Sequence, residues 1–146
     1  MDHPITFDTA EASPPRIADG RVRARFGEVV DPGFQAVPDV LLFHQADLGL
    51  TSEELNVLLN VTAHWYDPER MPFPRASSIA RRMGSSERTV HRHLQSLINK
   101  GFIAKVKGQS STGTPSYDLG PLLSKLRPFA QKRLAARSGP QASVAA

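Results

Sequence analysis

Six side chains between residues 85 and 95 carry the clearest chemistry in this sequence: Ser85, Arg88, Thr89, Arg92, His93 and Gln95. All are hydrogen-bonding groups. An arginine can donate two parallel N–H bonds to O6 and N7 of guanine, a pairing worth roughly 1–3 kcal/mol of discrimination. The six lie within SSERTVHRHLQSLIN, where Val90, Leu94, Leu97 and Ile98 recur at helical spacing. At about 100° per residue, Arg92 falls opposite that apolar stripe, with Arg88, Thr89 and Gln95 to either side. The N-terminal half of a helix inserted in a major groove is the part that meets base edges. The six are therefore expected to read bases in double-stranded DNA.

A second set surrounds them. Ser77 and Ser78, near the start of a preceding helix, offer hydroxyls and free N–H groups suited to a backbone phosphate. Arg75, Arg81 and Arg82 flank the duplex in this reading, with Ser86 and His91 beside the base-reading positions. Lys105, Lys107, Ser110 and Thr112 belong to a small polar segment, 105–114, that can approach the backbone or the minor groove.

The charge pattern agrees with this placement. The chain has 146 residues and a formal net charge of +4. Residues 26–69 hold eight acids and no Lys or Arg, whereas residues 70–107 hold nine bases and only Glu87. The mild total averages an acidic block and a basic one. The basic block calls for a polyanionic partner. The acidic block is expected to face away from DNA, and 26–69 is a candidate surface for a protein partner.

Other chemistry finds little support. The absence of cysteine removes disulfides, thiolate metal sites and cysteine nucleophiles. His91 and His93 lie about 200° apart around a helix axis, so they cannot share one metal, and no HExxH pattern is present. No GxxxxGK[ST] segment cradles a phosphate, and the serines lack a base and acid arrangement for nucleophilic catalysis. The expectation is a protein that is not an enzyme, with no catalytic residues, no cofactor and no metal. No apolar run approaches the roughly 20 residues that span a bilayer, and MDHPITFDTAEASPP lacks the pattern of a secretion signal. A cytoplasmic, nucleoid-associated bacterial protein without membrane contact is expected.

The elements that must position these residues follow from periodicity and caps. Pro38–Leu48 is expected to be helical, with Pro38 at the first helical position and Gly49 ending it. Ser52–Trp65 follows, started by a capping box at Thr51 and Glu54 and buried through Leu55, Leu58, Leu59, Thr62 and Trp65. YDPERMPFP (66–74) is a loop. A helix over 75–83 buries Ile79, Ala80 and Met83, Gly84 permits a turn, and helix 86–100 ends at Gly101. FIAKVK (102–107) and SYDL (116–119) are candidate strands. Leu122, Leu123, Leu126, Phe129, Ala130 and Leu134 place a last helix at 121–137, which Pro128 should bend or split. That helix either closes its own core or packs with the first helix across a two-fold axis, making a homodimer.

The fold class is thus mostly α with a small β-wing: a winged helix-turn-helix plus a C-terminal helix. Residues 1–33 read as a disordered arm, 34–119 as the DNA-binding domain, 120–137 as the C-terminal helix and 138–146 as a disordered tail. FQAVPDVLLFHQADLGLTSEELNVLLNVTAHW (34–65) and FPRASSIARRMGSSERTVHRHLQSLINKGFI (73–103) resemble the N-terminal domain of DnaD-type and phage replisome-organiser proteins, and related plasmid and phage regulators. The resemblance implies a winged-helix fold, DNA binding and often dimerisation. The family's second domain has no room here, so the leading expectation is a stand-alone, sequence-specific transcriptional regulator. A plasmid or phage replication initiator or replisome organiser acting on origin DNA is the alternative. A winged helix serving protein contacts alone is a third reading.

Overall fold

The computed structural model describes residues 20–107 and 113–139. These fall into two units that divide between Ala36 and Val37. In the first, helix α1 (Gly20–Phe26) runs into a 3-10 turn (Gly27–Val30). Arg23 holds this unit together by donating from Nε and Nη2 to the two carboxylate oxygens of Asp31, both at 3.1 Å. The sequence reading assigns no regular structure here, because α1 buries no residue and so shows no apolar stripe.

The second unit contains the remaining elements: α2 (Asp39–Phe43), α3 (Ser52–Ala63), α4 (Ala76–Met83), α5 (Glu87–Asn99), strands β1 (Ala104–Val106) and β2 (Ser116–Asp118), and α6 (Gly120–Arg137). It is mostly helical, with one small antiparallel sheet and a C-terminal helix. The centre of its core is the seam where α5 packs on α3 and α4. Val57, Leu58 and Val61 of α3 meet Ile79 of α4 and Val90 and Leu97 of α5, all fully buried. The expected stripe on α5 is correct. On α3 the buried face is Leu55, Val57, Leu58 and Val61, while Leu59 and Trp65 pack at its edge.

Local chemistry sets the element ends. Thr51 accepts a bond from the Glu54 N–H at 3.1 Å and Glu54 accepts one from the Thr51 N–H at 2.9 Å, closing the expected capping box. Gly84 ends α4 in the left-handed region at φ 65°. Its N–H reaches Arg81 O and the Ser85 N–H reaches Ala80 O, so two otherwise orphaned carbonyls are satisfied. Gly101, at φ 78°, ends α5 in the same way through Ile98 O and Leu97 O.

Two expectations about helix extent change. The first helix stops at Phe43 rather than Leu48, and Pro38 sits at the N-cap with extended backbone. Past Phe43 the side chains bond locally instead: Gln45 Nε2 donates to Leu42 O at 2.9 Å, and His44 Nδ1 meets Asp47 Oδ2, also at 2.9 Å. Pro128, conversely, does not split the last helix, which runs unbroken from Gly120 to Arg137. Leu122 and Leu126 are buried in its first half and the helix packs on α2, while residues 131–138 are all exposed.

The strands pair Ala104 with Asp118, Lys105 with Tyr117 and Val106 with Ser116. Phe102, Ile103 and Tyr117 anchor the sheet in the core. The 66–74 loop lies against it, since the Tyr117 N–H donates to Pro72 O at 2.9 Å. No helix among the described residues is long and apolar enough to cross a membrane.

Candidate nucleic-acid interface

Because Val90, Leu94 and Leu97 are held in the core, the opposite face of α5 must turn outward. Arg88, Arg92, Gln95 and Asn99 are exposed there, and Thr89 and His93 are half-buried at its margins. Gln95 Nε2 donates to Asn99 Oδ1 at 3.0 Å. Arg88 and Arg92 have no ion-pair or hydrogen-bond acceptor among the described residues. They present two cations on one outward face at the N-terminal end of the helix.

The hydroxyls near that end do other work. Ser86 is the N-cap of α5, accepting the Thr89 N–H at 3.1 Å and donating its own proton to Thr89 Oγ1 at 2.9 Å. Thr89 is therefore the hydroxyl of the pair with a proton left to donate. Ser85, expected to read bases, folds into the Gly84 turn. Its Oγ is shielded from solvent and has no hydrogen-bond partner among the described residues. Ser78, expected to touch phosphate, is only 7% exposed. The reason is that α4 is buried over Ser78, Ile79 and Ala80, more than half its circumference, which leaves Ser77 and Arg81 on the outer edge.

Arg75 is exposed at the N-cap of α4 and makes no side-chain cap. The first N–H groups of α4 therefore have no capping side chain to bond them. Arg82 turns toward α3, with Nη1 donating to Asn60 Oδ1 at 3.1 Å and Nη2 beside His64 Nε2 at 3.2 Å. His91, Lys105 and Lys107 are exposed. Ser110 and Thr112 lie outside the described residues.

Lys100, the base at the far end of α5, has a different setting. Its Nζ donates to Glu54 Oε1 at 2.7 Å and to Gly49 O at 2.9 Å. Ser96 Oγ donates to the other Glu54 oxygen. Burial alone would raise the Glu54 pKa, but the bonds from Lys100, Ser96 and Thr51 outweigh it and hold it at about 2. Glu54 is thus a charged core residue 2% exposed, not part of an open acidic surface. Burial also pushes the Tyr117 hydroxyl pKa up.

The sequence reading misses three contacts: those of Asn60 and His64 with Arg82, and the Glu54–Lys100 pair. No local pattern marks them, since the partners lie 18 to 46 residues apart. No group of three or more His, Asp or Glu residues suited to a metal occurs among the described residues.

The chain is similar to known proteins in sequence and fold. The replicative helicase loading/DNA remodeling protein DnaD of Bacillus subtilis (strain 168) is 29% identical over 111 residues, which cover 75% of this chain and 47% of that protein. The chain thus spans about half the length of this relative. The crystal structure of the N-terminal domain of DnaD from Geobacillus kaustophilus HTA426 superposes with a TM-score of 0.54 at 27% identity, covering 83% of this chain and 97% of that one. The family model of the DnaD N-terminal domain matches residues 37–136, beginning where the second structural unit begins. The chain belongs to the DnaD N-terminal domain family.

Proposed function

We propose that this domain is a winged helix-turn-helix that binds double-stranded DNA in replication, α5 entering the major groove and the β1–β2 wing following the backbone or minor groove. The observation that carries the reading is the pair Arg88 and Arg92, exposed at the N-terminal half of α5 with no acceptor among the described residues. Arg88, Thr89 and Arg92 contact bases, with His93 and Gln95 at the edge of reach. Arg75, Ser77, Arg81, Lys105 and Lys107 meet phosphates. Ser86 serves as the cap that sets the start of α5.

The replication role replaces the expected stand-alone transcriptional regulator. Its support is membership of a family whose Bacillus subtilis relative is a helicase loading and DNA remodeling protein. The earlier expectation leaned on chain length, whereas family membership belongs to the domain itself. Two measurements test the proposal. Binding-site selection on random duplex DNA should return a defined motif, with affinity that falls steeply as salt rises. Depleting the protein in its host should stop DNA synthesis before transcript levels change. A transcriptional response with replication intact overturns the replication role, and no duplex binding at low salt overturns the DNA reading.

A further inference from the structure

Away from the α5 face, α6 and the turn after α2 enclose an open cleft of about 450 Å³, lined by His44, Asp47, Phe129, Lys132, Arg133 and Ala136. A chain of contacts fixes the position of one cation in its wall. Arg133 Nε donates to His44 Nε2 at 3.0 Å. That bond places the imidazole proton on Nδ1, which meets Asp47 Oδ2 at 2.9 Å. The His44 ring lies on Phe129 with centroids 4.5 Å apart, and the Arg133 guanidinium carbon lies 5.1 Å from the Phe43 ring centre. Arg133 is therefore held at Nε and against an aromatic ring. Its two terminal nitrogens have no acceptor among the described residues.

An arginine fixed in this way has already lost much of the side-chain freedom that binding would otherwise cost, and its planar fork matches a carboxylate. Lys132 lines the same cleft. α6 contains no acidic residue to compete. α2 and α6 also expose apolar side chains: Leu42 is 46% exposed, Phe43 56% and Leu134 60%.

We infer that this cleft docks an acidic segment of a protein partner. One carboxylate is forked by Arg133, a neighbouring one pairs with Lys132, and apolar side chains cover Leu42 and Phe43. Two observations favour a peptide over nucleic acid. The Asp47 carboxylate, with its side chain 64% exposed, stands in the cleft wall and repels a continuous polyanion, whereas a peptide can place a carboxylate to avoid it. The exposed Leu42 and Phe43 have no counterpart on a phosphate backbone. The inference is independent of the DNA reading, because none of its residues lies on α4 or α5.

The test titrates the full chain with a short fluorescein-labelled peptide in which Glu and Asp alternate with Leu and Phe. Fluorescence anisotropy reads affinity and 15N chemical shifts read location. Saturable binding is expected, with shifts concentrated at Phe43–Asp47 and Phe129–Ala136. Replacing the acids by their amides should weaken binding by about tenfold or more. Arg133→Gln should do the same, and Arg133→Lys nearly so, because lysine lacks the fork. Arg92→Ala should leave peptide binding unchanged. Equal affinity for acidic and amide peptides overturns the inference, as does no binding of either. An oligonucleotide that shifts the same residues and displaces the peptide assigns the cleft to nucleic acid instead. A fall in sedimenting mass of the free chain on Arg133→Gln, with no peptide effect, assigns it to a second copy.

Discussion

The two ends of α5 carry the same kind of charge to opposite purposes. At the N-terminal end Arg88 and Arg92 face outward with no acceptor among the described residues. At the C-terminal end Lys100 is bound to a buried carboxylate and a backbone carbonyl of the neighbouring segment. A cation opposite an apolar stripe stays in solvent and is open to a partner. A cation beyond the last turn can fold back over the core and neutralise a charge that would otherwise be costly to bury. The basic block of 70–107 is therefore not one surface. Part of it is available for binding and part stabilises the fold.

The largest effect expected from breaking this contrast is at the structural end. Glu54→Ala removes the capping-box partner and leaves Lys100 and Ser96 without their acceptor. It should lower unfolding stability by about 3–4 kcal/mol in urea denaturation. A loss within that of an ordinary surface substitution would show that the α3–α5 link is incidental.

Acid titration reaches the same link without mutation. The Glu54 pKa is held at about 2 against an ordinary 4.5. A depressed carboxylate stabilises the folded state in full above its unfolded value, and that stabilisation is lost as pH falls through the folded one. About 3 kcal/mol should disappear between roughly pH 5 and pH 2. Thermal melts across this window should show the loss in the wild type and a flatter profile in Glu54→Gln.

At the other end, Arg92→Ala should leave stability near wild type. It should relax base preference at one position by roughly 1–3 kcal/mol. Equal weakening on every sequence would move Arg92 from base reading to phosphate contact. A smaller effect is expected at the turn that aims α5. A Cβ at Gly84 meets no atom within 4 Å, so the cost of Gly84→Ala is the φ of +65° alone. That is about 1–2 kcal/mol of stability, visible as a lowered melting temperature with base preference retained.

What the sequence made legible is what short-range chemistry decides. The capping box at Thr51 and Glu54, the glycine stops at 84 and 101, and the Val90, Leu94, Leu97 stripe all depend on residues within about one or two helical turns of each other. The outward position of Arg88 and Arg92 follows directly from that stripe. The failures have an equally definite cause. Lys100 looks like any other base until Glu54, 46 residues away, is brought beneath it. Ser78 reads as an exposed hydroxyl because the apolar pattern marks only Ile79, Ala80 and Met83, whereas α4 is buried at Ser78 as well. Leu48 continues the apolar pattern of α2, but Gln45 and His44 end the helix first by bonding to Leu42 and Asp47. The cleft beside Arg133 unites segments 89 residues apart, so no motif announces it.

The most direct test of the central claim compares the two ends of α5 on DNA. Duplex affinity is measured by fluorescence anisotropy for the wild type, the Arg88→Ala/Arg92→Ala double variant and Lys100→Gln, at a temperature where all three are folded. The double variant should lose at least about tenfold in affinity, while Lys100→Gln binds as the wild type does. Wild-type affinity in the double variant, or an equal loss in Lys100→Gln, would contradict the division of α5 into a DNA-facing end and a structural one.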